Sequence, residues 1–126
     1  MGHRNTGSVG HQAEQLAFDF LIDQRLCPVA RNFHSRGGEI DLIMLDGNCL
    51  TFVEVRYRSS ALFMPASHTV DRHKQRKIIR TAAMYIARNR QFSMHTMRFD
   101  VVAIEGGENT AINWIKDAFR PNNSTL

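Results

Sequence analysis

Apolar positions near the start of the chain recur with the period of an α-helix. Between residue 9 and about residue 26 they fall at the spacings i, i+3, i+4, i+7 and i+8, on Ala13, Leu16, Ala17, Phe20 and Leu21. Ser8 is the predicted N-cap. Cys27-Pro28 is expected to end the helix, because a residue before proline is pushed out of the α region.

Alternating positions rich in β-branched and aromatic residues predict strands after this helix. Residues 29–34 form a first short strand, followed by a turn at residues 35–38. Residues 39–45 and 49–58 flank Asp46-Gly47-Asn48, which is a strong hairpin signal. Residues 59–69 are predicted to be a loop that contains the apolar segment Leu62-Phe63-Met64-Pro65.

The second half of the chain predicts one more helix and two strands. The helix covers residues 71–90, and its apolar positions are expected to face the core; these are Val70, Ile78, Ile79, Ala82, Ala83, Ile86 and Ala87. Strands are expected at residues 97–104 and 111–115. The order α-β-β-β-α-β-β predicts an α/β domain with a central mixed sheet flanked by helices.

The length of 126 residues predicts one domain, covering residues 1–119, and a frayed tail at residues 120–126. Asp19 and Asp23 interrupt the most apolar N-terminal stretch, so no membrane-spanning helix is expected. The first residues lack the apolar segment of a secretory signal. Cys27 and Cys49 form no paired motif and are interpreted as small buried residues in a reducing compartment, which predicts a cytoplasmic protein.

Charge favours a polyanionic partner. The chain has 16 Lys and Arg against 12 Asp and Glu, a net charge of +4, and only three of the 16 cations are lysines. Arginine binds phosphate through two parallel hydrogen bonds. Arg72, Arg76 and Arg80 form a stripe at i, i+4 and i+8 in the predicted second helix, flanked by Lys74 and Lys77, and bound phosphate would relieve their repulsion. A solvated basic helix face is the alternative.

Carboxylates in the predicted hairpin are candidates for a metal site. If Gly47 and Asn48 form a two-residue loop, Asp41 lies opposite Glu54; a turn centred on Asp46 and Gly47 instead puts Glu39 opposite Glu54 and leaves Asp41 on the same face. Two carboxylates this close are destabilising unless a cation lies between them. Oxygen ligands of this kind suit Mg²⁺ or Mn²⁺.

The neighbouring arginine and apolar residues bear on that interpretation. Arg56 would hold a phosphate group beside the cation. The alternative is a solvent-facing sheet edge whose acidic residues pair with Arg56 and Arg58. Leu50 and Phe52 on the face of Glu54, with Ile43 on that of Asp41, favour a covered face.

Several segments together carry a resemblance to a known family. They are Gly10, Glu14 and Ala17, Ala30-Arg31-Asn32, Gly38-Glu39-Ile40-Asp41-Leu42-Ile43, Phe52-Val53-Glu54-Val55-Arg56-Tyr57-Arg58, Lys74-Gln75-Arg76-Lys77 and Arg98-Phe99-Asp100-Val101-Val102-Ala103. Over nearly its whole length the chain resembles the YraN-like family of small bacterial proteins. That family is similar to archaeal Holliday-junction resolvases and to the PD-(D/E)xK nuclease superfamily, which implies a restriction endonuclease-like three-layer α/β/α core.

The resemblance also implies roles for individual residues. Asp41 and Glu54 resemble the superfamily's acidic metal ligands, and the backbone carbonyl of Val55 resembles a third ligand. Glu14 resembles the glutamate of the first helix that completes the site, and Gln75 the glutamine of the second. Arg36 and Arg58 join Arg72, Lys74, Arg76, Lys77 and Arg80 as the expected nucleic-acid contacts.

Arg56 departs from the superfamily, which has lysine at this position. Because arginine stays protonated, water activation would have to come from the metal or from a carboxylate such as Glu14. The expected function is Mg²⁺- or Mn²⁺-dependent hydrolysis of phosphodiester bonds in DNA, with branched or structured DNA as substrate. The alternatives are a nucleic-acid-binding domain that does not cut and an interaction protein that docks through residues 62–65. The chain could act as a monomer or as a homodimer.

Overall fold

The order of elements agrees with the sequence prediction. The computed structural model describes residues 5–59, 70–107 and 109–122. Its elements are α1 (Asn5–Asp23), β1 (Cys27–Ser35), β2 (Gly38–Asp46), β3 (Cys49–Arg58), α2 (Arg72–Arg88), β4 (Thr96–Glu105) and β5 (Ala111–Phe119), with a short 3₁₀ turn at Arg90–Phe92 before β4. The predicted loop segment at residues 62–65 and residues 123–126 of the predicted tail lie outside the described residues.

The five strands form one mixed sheet in the order β1-β2-β3-β4-β5. Neighbouring strands run antiparallel except β3 and β4, which are parallel. A parallel pair needs a crossover connection, and α2 lies in that connection. The predicted mixed sheet with flanking helices is therefore confirmed.

Each helix covers one face of the sheet, so the domain has three layers. Alanines and a leucine of α1 pack on one apolar cluster, formed by Ala13, Ala17, Leu21, Leu42, Met44, Val53, Val102 and Ile104 with Leu26. On the other face, α2 packs on a second cluster, which includes Ile40, Ile43, Leu50, Phe52, Ile78, Ile79, Ala82, Tyr85 and Phe99. Leu50, Phe52 and Ile43 lie on a covered face, as predicted, and the helix that covers it is α2.

Some details of the helix predictions are wrong. The first helix begins at Asn5, so Ser8 lies inside it and is not the N-cap. Leu16 is 43% exposed, because the buried stripe of α1 is narrower than its apolar pattern. In α2, Ala83 and Ala87 are exposed. Their predicted core places are taken by Thr81 and Tyr85, which are buried.

The start of α2 is fixed by a side-chain cap. The carboxylate of Asp71 accepts a hydrogen bond from the backbone N–H of Lys74 at 2.8 Å, which satisfies one of the amides that lack a partner in the first turn. This bond sets where the first turn begins. It thereby fixes the position from which the Lys74 side chain extends.

A buried ionic cluster joins β4 to β5 at the end of the sheet where β4 begins. Asp100 is fully buried, and its carboxylate accepts two hydrogen bonds from Arg98, one from the Trp114 indole at 2.9 Å and one from the backbone N–H of Asp117 at 2.9 Å. Arg98 also donates to Asp46. Asp117 has a φ of 56° within an irregular stretch of β5. The buried charge is thus fully partnered, and it holds this irregular stretch in place.

Gly38 allows close contact between the β1–β2 turn and α2. A Cβ atom at this position would lie 3.1 Å from the hydroxyl oxygen of Thr81, which is held by a 2.8 Å hydrogen bond to the Lys77 carbonyl. A Cβ atom at Gly37 would meet nothing within 4 Å. Only the second of the two glycines is required by packing.

Two other expectations concern membranes and cysteines. In the part of the chain that the structure describes, neither helix combines the length and apolarity needed to span a bilayer.

Cys27 is exposed and Cys49 half-buried. The prediction of two buried cysteines is therefore wrong for Cys27, which lies on the outer strand β1.

Candidate metal and nucleic-acid site

The β2–β3 hairpin has the register that the two-residue loop predicts. Asp46 pairs with Cys49, and the pairing continues to Leu42 opposite Val53. Within the described residues the two strands are not paired beyond that point, although β2 extends back to Gly38 and β3 extends on to Arg58. Asp41 and Glu54 are the next residues in register, so they lie where the ladder stops.

A side-chain hydrogen bond takes the place of the missing ladder bond. The carboxylate of Asp41 accepts a 2.8 Å hydrogen bond from the backbone N–H of Val55. Asp41 is only 8% exposed and Glu54 only 6%. The end of the β2–β3 ladder therefore contains two largely buried carboxylates in adjacent strands.

The surroundings of Asp41 favour its neutral form. Burial raises the pKa of this carboxyl from its ordinary 3.8 to about 8, and the negative charges of Glu54, Glu14 and Glu39 act in the same direction, whereas the Val55 N–H opposes them. Negative charges on α1, β2 and β3 therefore all act on the Asp41 carboxyl. A cation placed here would stabilise the ionised carboxylate.

Two cations contact the other carboxylate. The ammonium of Lys74, from the first turn of α2, lies 3.3 Å from Oε2 of Glu54, and the guanidinium of Arg56 lies 3.7 Å from the same oxygen. Glu54 is therefore partly neutralised at Oε2 by these two cations.

The donor chemistry of this cluster fits a hard divalent cation. Among residues 5–59, 70–107 and 109–122, no three His, Cys, Asp or Glu side chains converge as a ready-made metal site. Mg²⁺ commonly uses one or two carboxylates and retains several waters, so Asp41 and Glu54 would suffice with water and a backbone oxygen such as that of Val55. The raised pKa of Asp41 is the feature that a bound cation would reverse.

Of the two remaining predicted active-site residues, Glu14 lies near the carboxylate pair, whereas Gln75 forms a hydrogen bond elsewhere. Glu14 is half-buried on α1 and close enough to Asp41 to affect its pKa. Gln75 donates a 2.9 Å hydrogen bond from Nε2 to the carbonyl of Val70. This contact supports the start of α2, and no described hydrogen bond joins Gln75 to either carboxylate.

The cations of α2 lie on different sides of the helix. At 100° per residue, Arg72 and Arg76 are about 160° around the axis from Lys74. Lys77 is only about 60° from Lys74, on the side that faces the β1–β2 turn. The expectation that both lysines flank the arginine stripe is therefore wrong for Lys74, which points towards Glu54.

Comparison with protein families identifies the chain. The family described as "Uncharacterised protein family UPF0102" matches residues 13–104, a segment that includes Asp41, Glu54 and Lys74. The chain belongs to the UPF0102 family. This confirms the predicted YraN-like membership.

Relatives of this UPF0102 protein match it over most of both chains. A UPF0102 protein of Saccharophagus degradans is 48% identical over 120 residues, which cover 95% of this chain and 97% of the relative. The UPF0102 protein YraN of an Escherichia coli O139:H28 strain is 48% identical over 115 residues, covering 90% and 86%. A UPF0102 protein of Pseudomonas putida strain W619 is 40% identical over 114 residues, covering 89% and 93%.

One member of the site in this UPF0102 protein makes a contact that the sequence does not predict. Lys74, an expected nucleic-acid contact of α2, forms an ion pair with Glu54. The sequence offers one signal for this position, the spacing of Lys74 from the predicted core residue Ile78 at i+4. The buried Thr81 at i+7, which the sequence does not reveal, completes the sheet-facing side of the helix. Arg58 lies at the end of β3, and its buried Nη1 has no hydrogen-bond partner among the described residues.

Proposed function

We propose that this UPF0102 protein is a metal-dependent endonuclease that hydrolyses phosphodiester bonds in DNA, with branched or otherwise structured DNA as its substrate. The observation that carries the proposal is the pair of buried carboxylates, Asp41 and Glu54, at the end of the β2–β3 ladder. Buried carboxylates close together destabilise a fold unless a proton or a cation compensates their charge, and such clusters concentrate at functional sites. The resemblance to PD-(D/E)xK nucleases supports the same conclusion.

The acidic residues of the site would bind the metal, and the basic residues would bind the phosphate. Asp41 and Glu54 would hold Mg²⁺ or Mn²⁺, which when bound supplies an activated water and a positive charge beside the phosphate. Arg56 and Lys74, which both contact Oε2 of Glu54, would bind the non-bridging oxygens of the scissile phosphate. Glu14 would accept a proton from water; its half-buried position on α1, close enough to Asp41 to influence the pKa of that carboxyl, supports this role.

Cleavage is tested on purified protein with radiolabelled linear, flapped and four-way DNA, with and without Mg²⁺ or Mn²⁺. We expect cleavage that needs the metal and is lost in Asp41→Asn and Glu54→Gln. Asp23→Asn, which neutralises an exposed carboxylate at the end of α1, is the matched control and should cut at the parent rate. Cleavage that survives both site substitutions would locate the chemistry elsewhere or in a contaminant.

A nucleic-acid-binding domain that does not cut is the second candidate. It is favoured by the contacts of Lys74 and Arg56 with Glu54, since these cations already neutralise part of the site without a metal. Binding of the same DNA substrates without metal-dependent cleavage would identify it. Both candidates act on cytoplasmic DNA, and both are compatible with a monomer or a homodimer.

A further inference from the structure

A polar cavity of about 430 Å³ opens beside the carboxylate pair. Its walls come from the β1–β2 turn, including Arg36 and Glu39, and from the first turns of α2, including Lys74 and Lys77. Lys74 also contacts Glu54, and Glu39 also affects the pKa of Asp41. The cavity and the candidate metal site therefore share residues and are adjacent.

The charge of this cavity suits an anion. His34 and Glu39 pair across one wall, with Nδ1 of His34 at 3.5 Å from the glutamate oxygen. Within the described ranges, no carboxylate forms an ion pair with Arg36 or Lys77. These two cations reach the cavity from different elements of the fold, and the close packing of Gly38 against Thr81 holds the two walls together.

We propose that this cavity is a subsite for one phosphate group of the bound nucleic-acid strand, next to the phosphate at the Asp41–Glu54 pair. Arg36 and Lys77 contact the neighbouring phosphate, while Lys74 lies between the two positions. The volume lies in the range of pockets that hold a small ligand, as opposed to a broad duplex surface. The inference rests on the proposed function in taking nucleic acid as the ligand.

This assignment separates two basic surfaces that the sequence joins. Arg72 and Arg76 do not line the cavity, and they lie about 160° around α2 from Lys74. A strand that passes the carboxylates meets Lys77 and Arg36 but not these two arginines. The arginine stripe would then contact phosphates farther along the nucleic acid, or solvent.

Two double variants of equal charge test the subsite. Arg36→Gln with Lys77→Gln removes the two cavity cations, and Arg72→Gln with Arg76→Gln removes two cations from the other side of α2. Affinity for a short single-stranded deoxyoligonucleotide is measured in EDTA over a series of salt concentrations. We call the first the cavity variant and the second the stripe variant. The cavity variant should bind about tenfold more weakly, and its plot of log affinity against log salt concentration should be less steep by about 0.7 for each lost phosphate contact. The stripe variant should show clearly smaller changes in both affinity and slope.

A second measurement locates the contact along the strand. In a series of oligonucleotides, each carries one uncharged methylphosphonate in place of a phosphate, at a different position. At one position this replacement should weaken binding to the parent and to the stripe variant but leave binding to the cavity variant unchanged. Equal losses in both double variants, or no position with this coupling, would overturn the subsite. Circular dichroism of each variant verifies that it is folded.

The subsite and the nuclease activity can fail separately. Binding is measured without metal, so position-specific coupling in a protein that never cleaves DNA would refute the proposed hydrolysis and retain the subsite. Metal-dependent cleavage without the coupling would retain the hydrolysis and refute the subsite. Absence of any oligonucleotide binding by the parent would also refute the subsite.

Discussion

Asp41→Asn should make the metal-free protein more stable at alkaline pH. The folded state holds the pKa of Asp41 at about 8 through burial and the charges of Glu54, Glu14 and Glu39, against an ordinary value of 3.8. Asparagine has nearly the same shape and retains an acceptor for the Val55 N–H. The substitution therefore removes a buried charge without removing the hydrogen bond that positions the side chain.

The sign and size of the effect follow from proton binding. Well below pH 3.8 the carboxyl is protonated in both states, and at pH 4 the substitution should change stability by less than about 1 kcal/mol. Between pH 4 and 8 the folded state retains a proton that the unfolded chain has released, so stability falls as pH rises and stays low above pH 8. A folded-state pKa of about 8 against 3.8 corresponds to an upper bound of roughly 5 to 6 kcal/mol for the loss of stability. Local relaxation or water entry that lowers the folded-state pKa reduces this loss by about 1.4 kcal/mol per pH unit.

The measurement is urea unfolding of the parent and Asp41→Asn at pH 4, 6 and 8 in EDTA. The free energy of unfolding of the two proteins should agree at pH 4 and separate progressively in favour of the variant. Asp23→Asn should show no such separation, because that carboxylate is exposed. A variant less stable than the parent at pH 8, or a difference that does not change with pH, would refute the reasoning.

Addition of Mg²⁺ extends the same experiment. A cation that binds the ionised carboxylate stabilises the folded parent by mass action. The gap between parent and Asp41→Asn at pH 8 should therefore narrow as Mg²⁺ is raised, and the variant should gain little. A gap that is unaffected by Mg²⁺ and Mn²⁺ would contradict metal binding at Asp41.

Three further predictions concern separate parts of the molecule. Arg56→Lys should retain metal-dependent cleavage, because lysine also supplies a cation; single-turnover rates at saturating metal test this, and a loss beyond tenfold would show that the guanidinium itself is required. Asp100→Asn should lower the free energy of unfolding by about 2 to 4 kcal/mol by depriving Arg98 of its buried partner; a change below 1 kcal/mol in urea unfolding would contradict this role. Gly38→Ala should lower the free energy of unfolding by about 1 to 2 kcal/mol, whereas Gly37→Ala should lower it by less than about 0.5 kcal/mol. Urea unfolding measures both, and equal losses would show that close packing against α2 is not the reason for glycine at position 38.

The hairpin register was predictable because it depends on local information. Asp46-Gly47-Asn48 favours a short turn, and a two-residue loop fixes every pair along the two strands. The sequence could not indicate where pairing stops. That point depends on how β2 and β3 separate under two helices, and the Asp41 contact with the Val55 N–H at 2.8 Å appears only in the folded chain.

The role of Lys74 shows what a charge pattern alone leaves undetermined. Sequence identifies it as a cation near the start of a helix, among several others. The ion pair with Glu54 depends on how α2 is rotated against the sheet, and the buried positions Thr81 and Tyr85 set that rotation. Because the predicted core of α2 included Ala83 and Ala87, its predicted face was rotated from the true one. The pairing could not be inferred from that face.

Both outer strands of the sheet are poor templates for another chain. In β1, Pro28 lacks an N–H and the register shifts between Pro28 and Ala30; in β5, the stretch held by Asp100 includes Asp117 at a positive φ. Such interruptions break the row of donors and acceptors through which exposed strands aggregate or extend a sheet into a neighbouring molecule. If two copies of the protein associate on DNA, helix or turn surfaces are better suited than sheet extension to form the contact.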